Sequence, residues 1–160
     1  MTKTTRSTKQ GRDLRSLLHV PQNDLQAQVA TRLEAIGFPT LRPAHVQILS
    51  SVGPDGCRLA ELVAAVSLPK QTVGDLVDDL EQMKMLERYP DPDHGVAKRV
   101  RLGSKGKVWA AEVKRVSTSA EAKWATRLGS KKMKSLRALL EELAATVESS
   151  VESDVKQKRG

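Results

Sequence analysis

The chain has 160 residues, 39% of them hydrophobic but only 2% aromatic, and a formal net charge of +8. That length suits one domain, and a core of Leu, Val and Ala without large aromatic plates suits packed helices better than a β-sandwich. No run of 18 apolar residues is present to span a membrane, the start has no hydrophobic stretch of a secretory signal, and a single cysteine, Cys57, excludes an intrachain disulfide, so the expected compartment is the cytoplasm.

Residues 1–12 have no apolar periodicity and read as a solvated basic arm carrying Lys3, Arg6, Lys9 and Arg12. Leu14, Leu17 and Leu18 can form one or two helical turns before Pro21, which is expected to interrupt them. A first long helix is expected from Asn23 or Asp24, either a good N-cap, to Ile36. Its stripe is Leu25, Val29, Leu33 and Ile36. Gly37 stands where a helix C-cap favours glycine, and Pro39 follows as a stop.

Pro43 suits the first position of a second helix, which carries Val46, Ile48, Leu49 and Val52. The run Gly53, Pro54, Asp55, Gly56 is a turn. A short third helix follows with Leu59, Leu62, Val63 and Val66. After the break at Ser67, Leu68 and Pro69, a fourth helix over residues 70–83 buries Val73, Leu76, Val77, Leu80 and Met83. Its other face shows Lys70, Gln71, Thr72, Gly74, Asp75, Asp78 and Asp79.

Residues 86–89 and 98–102 alternate with period two around a charged tip at 90–95, which predicts a hairpin. Two more helices are expected at 104–128 and 130–152. The stripe of the first is Trp109, Val113, Val116, Ala120 and Trp124. That of the second is Met133, Leu136, Leu140, Leu143 and Val147, whose 3-4-3-4 spacing is that of a coiled-coil seam.

Charge is unevenly spread. Residues 104–137 hold ten Lys or Arg against Glu112 and Glu121, whereas residues 55–83 hold Arg58 and Lys70 against six acids. The basic excess favours a polyanionic partner, because neutralising phosphate releases counterions. The chain lacks a nucleophile beside a base, paired carboxylates in an apolar setting, and a phosphate-binding glycine loop; Gly103, Ser104, Lys105, Gly106 does not have that spacing. No enzymatic activity, cofactor or catalytic residue is therefore expected. His19, His45 and His94 have no metal-ligand spacing, and no metal site is expected. Cys57 stands beside Arg58, which could lower its pKa; an unreactive thiol is the alternative.

The order of four helices, a hairpin and two helices brackets a helix-turn-helix and wing between long helices. Residues 41–106 resemble the winged-helix core of the MarR family of bacterial transcription regulators. Leu59, Ala60, Glu61, Leu62 and Val63 are similar to that family's third helix. Thr72, Val73, Leu76, Val77, Asp78, Asp79, Leu80 and Glu81 are similar to its recognition helix. Asp91, Pro92, Ala97, Lys98, Val100, Leu102 and Gly106 are similar to its wing and the start of the next helix. There are departures. His94, Gly95 and Val96 stand where the family's wing tip carries arginine, Lys84 where it has a turn glycine, Arg58 where it has a capping Thr, and Gly103 where it has a Thr.

The resemblance implies a mainly α fold with a small β-hairpin wing, a winged helix-turn-helix flanked by long dimerisation helices. The expected division is a basic arm at 1–20, a first dimerisation helix at 21–40, the DNA-binding lobe at 41–103, C-terminal dimerisation helices at 104–152 and a tail at 153–160. It implies a homodimeric regulator, expected to be a repressor, on an inverted-repeat operator in double-stranded DNA at the nucleoid. A small-molecule effector would release it. The DNA-binding candidates are Lys70, Gln71, Thr72, Gly74 and Asp75 on the recognition helix and Lys98, Arg99 and Arg101 on the wing. A Gln amide can pair bidentately with adenine, and Thr can meet a base or a thymine methyl. Arg42, His45 and Trp109 are candidates for an effector cleft, with core packing the alternative for Trp109. The acidic recognition helix motivates a rival reading, a MarR-like protein with weakened DNA binding that acts through protein contacts.

Overall fold

The computed structural model describes residues 11–157, and the side chains of all of these except 94–97 and 150–157. The order is α1 (Leu14–Ala35), α2 (Pro43–Ser51), β1 (Cys57–Arg58), α3 (Leu59–Val66), α4 (Lys70–Gln82), β2 (Leu86–Asp91), β3 (His94–Leu102), α5 (Ser104–Leu128) and α6 (Ser130–Gln157). The fold is mainly helical with one small antiparallel sheet, as the sequence predicts.

α1 corrects one expectation. It starts at Leu14 and continues through Pro21, with Asp13 as N-cap accepting from the Ser16 amide at 2.7 Å. Proline removes the amide that would bond the Leu17 carbonyl. All residues from 14 to 20 are exposed, so water can satisfy that carbonyl and the helix persists. Its other end follows the sequence. Gly37 takes φ 79°, its amide bonds the Glu34 carbonyl at 2.9 Å, and the Phe38 amide bonds the Leu33 carbonyl at 3.0 Å. This is the Schellman arrangement, and both Leu33 and Phe38 pack on the core.

The sheet has the order β1-β3-β2. β1 pairs Cys57 with Val100 and Arg58 with Arg99; two residues are too short to show alternation, and the sequence carries no sign of this strand. β2 and β3 are longer than expected, and the turn between them narrows to Pro92 and Asp93. The Asp91 carboxylate explains the tighter turn, because it accepts the Asp93 amide at 3.1 Å. Pro90 is tolerated because β2 is an edge strand.

The chain divides into two compact units, residues 1–116 and 117–160, with the boundary inside α5. In the first, Ile48, Leu49, Leu62, Val66, Val73, Leu76, Val77, Leu80, Met85, Leu86, Val100 and Trp109 form the core. Met83, expected inside, is only half-buried. Lys84 turns the chain out of α4 with φ 60°, and the start of α5 lies on the backbone that follows. A Cβ on Gly106 would sit 2.0 Å from the Met85 carbonyl oxygen, and one on Gly103 2.7 Å from that of Lys84. In the second unit, α6 runs five residues past its expected end at 152.

Candidate nucleic-acid interface

α4 is anchored from beneath. Val73, Leu76, Val77 and Leu80 are buried, which leaves Lys70, Gln71, Thr72 and Asp75 exposed on the opposite face. Pro69 is the N-cap and gives no side-chain hydrogen bond. The amides of the first turn have no helical partners by construction, so an approaching anion can meet them.

Gly74 lies on the same face. A Cβ built there meets no atom within 4 Å. A glycine inside a helix costs about 1 kcal/mol relative to alanine, and no packing within the described residues accounts for it.

The acids farther along α4 do not face solvent as bare charges. Asp78 and Glu81 both bind the Arg88 guanidinium from β2, and Glu81 also accepts the Arg88 amide at 3.2 Å. Asp79 binds Arg42 Nη2 at 2.5 Å, and His45 Nε2 stands 3.4 Å from the same oxygen. The sequence offered ion pairing as one reading of these acids but could not name the partners, which come from α2 and β2.

Of the three wing bases, only Lys98 is exposed with no hydrogen bond or ion pair among the described residues. Arg101 is also exposed; it pairs with Glu87 at 2.5 Å and lies 4.8 Å over the Tyr89 ring. Arg99 is half-buried, donating to the Tyr89 hydroxyl at 3.1 Å and to the Gly56 carbonyl at 3.3 Å. Tyr89 in turn donates to the Asp55 carbonyl. These bonds tie the wing strands to the turn before β1.

A second device at the wing base escaped the sequence. Arg58 Nε donates to Asp91 at 2.6 Å, and Asp91 is only 2% exposed. That hydrogen bond holds the Asp91 carboxyl below its ordinary range. The partners are 33 residues apart, so no local pattern reveals them. Arg58 also caps α3, its amide donating to Glu61 at 2.7 Å. Cys57 beside it is half-buried, and burial pushes its thiol pKa up, reinforced by Glu61. The lowering expected from Arg58 is not found; the cause is desolvation.

The effector candidates divide. Arg42 and His45 come together, Nη2 to Nε2 at 3.0 Å, in the Asp79 network. With Arg42 donating to Nε2, the imidazole proton sits on Nδ1, for which the described residues offer no acceptor. Trp109 belongs to the hydrophobic core, and its indole N–H also has no partner there. A cavity of about 310 Å³ opens elsewhere, lined by Ile36, Gly37, Phe38, Pro39, Ser104, Lys105 and Val108. These residues read in sequence only as helix ends. Among the described residues no three His, Cys, Asp or Glu groups cluster to hold a metal, and no helix is long and apolar enough to cross a membrane. Lys3, Arg6 and Lys9 of the arm, and the side chains of His94 and Val96 at the wing tip, lie outside what is described.

A sequence profile of the MarR family matches residues 40–95. No curated protein matches the chain by sequence. Among solved structures, the transcriptional regulator Tm0710 from Thermotoga maritima is 25% identical with a TM-score of 0.60, covering 85% of this chain and 94% of that one. MarR is 19% identical with a TM-score of 0.65, over 86% and 99%. S. aureus MepR bound to ethidium bromide is 16% identical with a TM-score of 0.60, over 85% and 97%.

Proposed function

Because residues 40–95 of this chain belong to the MarR family, we propose that it is a transcription regulator, a repressor, that binds an inverted-repeat operator as a homodimer. The observation that carries this reading is the exposed first turn of α4. Lys70, Gln71 and Thr72 stand clear of the protein on a helix whose opposite face is locked into the core. In this reading Gln71 and Thr72 meet base edges, Lys70 and Lys98 meet phosphate, and Asp75 accepts from a cytosine amino group. Gly74 lets the DNA approach closely. Arg101 contacts phosphate from its exposed strand, and Arg99 positions the wing.

The ion pairs of Asp78, Asp79 and Glu81 remove most of the motive for a reading based on protein contacts alone. Homodimerisation is supported by apolar surface that a monomer would not leave bare, including Leu14, Leu17 and Leu18 on α1 and Leu136, Leu140 and Leu143 on α6. A small apolar effector with an anionic group suits the cavity between the end of α1 and the start of α5, where Lys105 supplies the charge. The protein acts in the cytoplasm, at the nucleoid. Chromatin immunoprecipitation followed by sequencing tests the proposal. Discrete sites sharing an inverted repeat upstream of genes are expected, and uniform recovery of the chromosome would overturn it.

A further inference from the structure

α6 carries an apolar face that nothing among the described residues covers. Residues 134–149 are exposed throughout, and Leu136, Leu139, Leu140, Leu143 and Val147 each leave between 41 and 64% of their surface in water. A helix this exposed gains little from packing, the main source of helix stability in proteins.

Two patterns along it share one centre. The seam of Met133, Leu136, Leu140, Leu143 and Val147 reads almost the same in both directions from Leu140. Charge divides at the same place. Lys131, Lys132, Lys134 and Arg137 precede it with no acid in 130–140, and Glu141, Glu142 and Glu148 follow with no base in 141–149. Arg137 is engaged by Glu121 and Glu141. This polarity opposes the helix dipole, which favours acids at the N-terminus and bases at the C-terminus. It weakens the isolated helix, and a partner of complementary polarity relieves it.

We infer that α6 pairs antiparallel with α6 of a second copy of this chain, about a twofold axis near Leu140, with each basic half along the acidic half of its partner. The inference rests on the homodimer reading above and adds its orientation. Parallel pairing would set the lysines of both copies side by side, and the glutamates likewise. Exposed charges are screened beyond about 8 Å at physiological salt. The apolar seam therefore supplies affinity, while the polarity selects orientation and disfavours chains that lack it.

Single cysteines in a full-length Cys57→Ser background test this with a short bis-maleimide linker and sedimentation of the unlinked protein. Leu140→Cys should link to its own copy. Met133→Cys and Val147→Cys should each fail alone, because each would lie about 21 Å along the axis from its own copy at 1.5 Å per residue, and should link to each other when mixed. Linking of Met133→Cys to itself and of Val147→Cys to itself would mean parallel helices and overturn the inference. So would a dimer by sedimentation that links at none of these positions, and both results leave the homodimer reading standing. A monomer by sedimentation would overturn both. An independent readout leaves the seam intact. A Lys131→Glu, Lys132→Glu, Lys134→Glu chain and a Glu141→Lys, Glu142→Lys, Glu148→Lys chain should each dimerise at least tenfold more weakly at low salt and recover on mixing. Unchanged self-association of both would refute the role of polarity.

Discussion

Replacing Gly74 with alanine should move stability and DNA affinity in opposite directions. The added methyl meets no atom within 4 Å, so the free protein gains only the propensity difference, about 1 kcal/mol in favour of alanine. For a chain of this size that is a rise of roughly 2–4 °C in Tm. If DNA closes over the face of Gln71, Gly74 and Asp75, the same methyl falls in a close contact. Forcing one extra methyl into a packed contact costs on the order of 1–3 kcal/mol, a five- to hundredfold loss of affinity. Calorimetry of the free protein and fluorescence anisotropy on a labelled operator measure the two sides. A higher Tm with unchanged affinity would show that DNA does not approach Gly74. A lower Tm would refute the packing argument itself.

Gly106→Ala should destabilise the wing lobe by more than about 3 kcal/mol, beyond the usual range of overpacking, because its Cβ would sit 2.0 Å from the Met85 carbonyl oxygen; wild-type resistance to urea would contradict this. Glu112 is held at about 2 by hydrogen bonds from Arg32 and then Arg115. Since that lies below its ordinary 4.5, its stabilisation is fully present above pH 4.5 and is lost as pH falls through 2. Glu112→Gln should therefore lose stability at pH 7 and flatten the acid limb of the stability curve, and an unchanged curve would refute the Arg32 pairing. Deleting residues 2–12 should weaken binding to all DNA sequences and reduce the salt slope of log affinity by about 0.9 for each phosphate the arm no longer neutralises, leaving base preference intact; equal slopes would show the arm to be idle.

How much the sequence reveals depends on how local each cause is. The face of α4 is legible because Val73, Leu76, Val77 and Leu80 repeat at helical spacing, and the end of α1 because Gly37 and Phe38 carry a local capping pattern. Pro21 misleads because the local rule treats proline as a break, whereas solvent at an exposed turn satisfies the carbonyl it orphans. β1 is two residues held by Val100 and Arg99 across the sheet, with nothing local to announce it. Among the site residues, Lys70, Gln71 and Thr72 are legible from position alone. That Arg99 is tied into the wing, that Arg42 and Arg88 neutralise the acids of α4, and that Arg58 grips Asp91 are long-range facts. Each depends on a partner set by tertiary packing, and so do the walls of the cavity between α1 and α5.

Selection of bound duplexes from random DNA, run in parallel on the wild type and on Gln71→Ala, tests the central claim most directly. The wild type should enrich an inverted repeat with half-sites about one helical turn apart. Gln71→Ala should keep that spacing, lose preference at one base pair in each half-site, and bind the wild-type sequence on the order of 1–3 kcal/mol more weakly. Failure of the wild type to enrich any repeat, or identical preferences in the two proteins, would contradict a base-reading role for the first turn of α4.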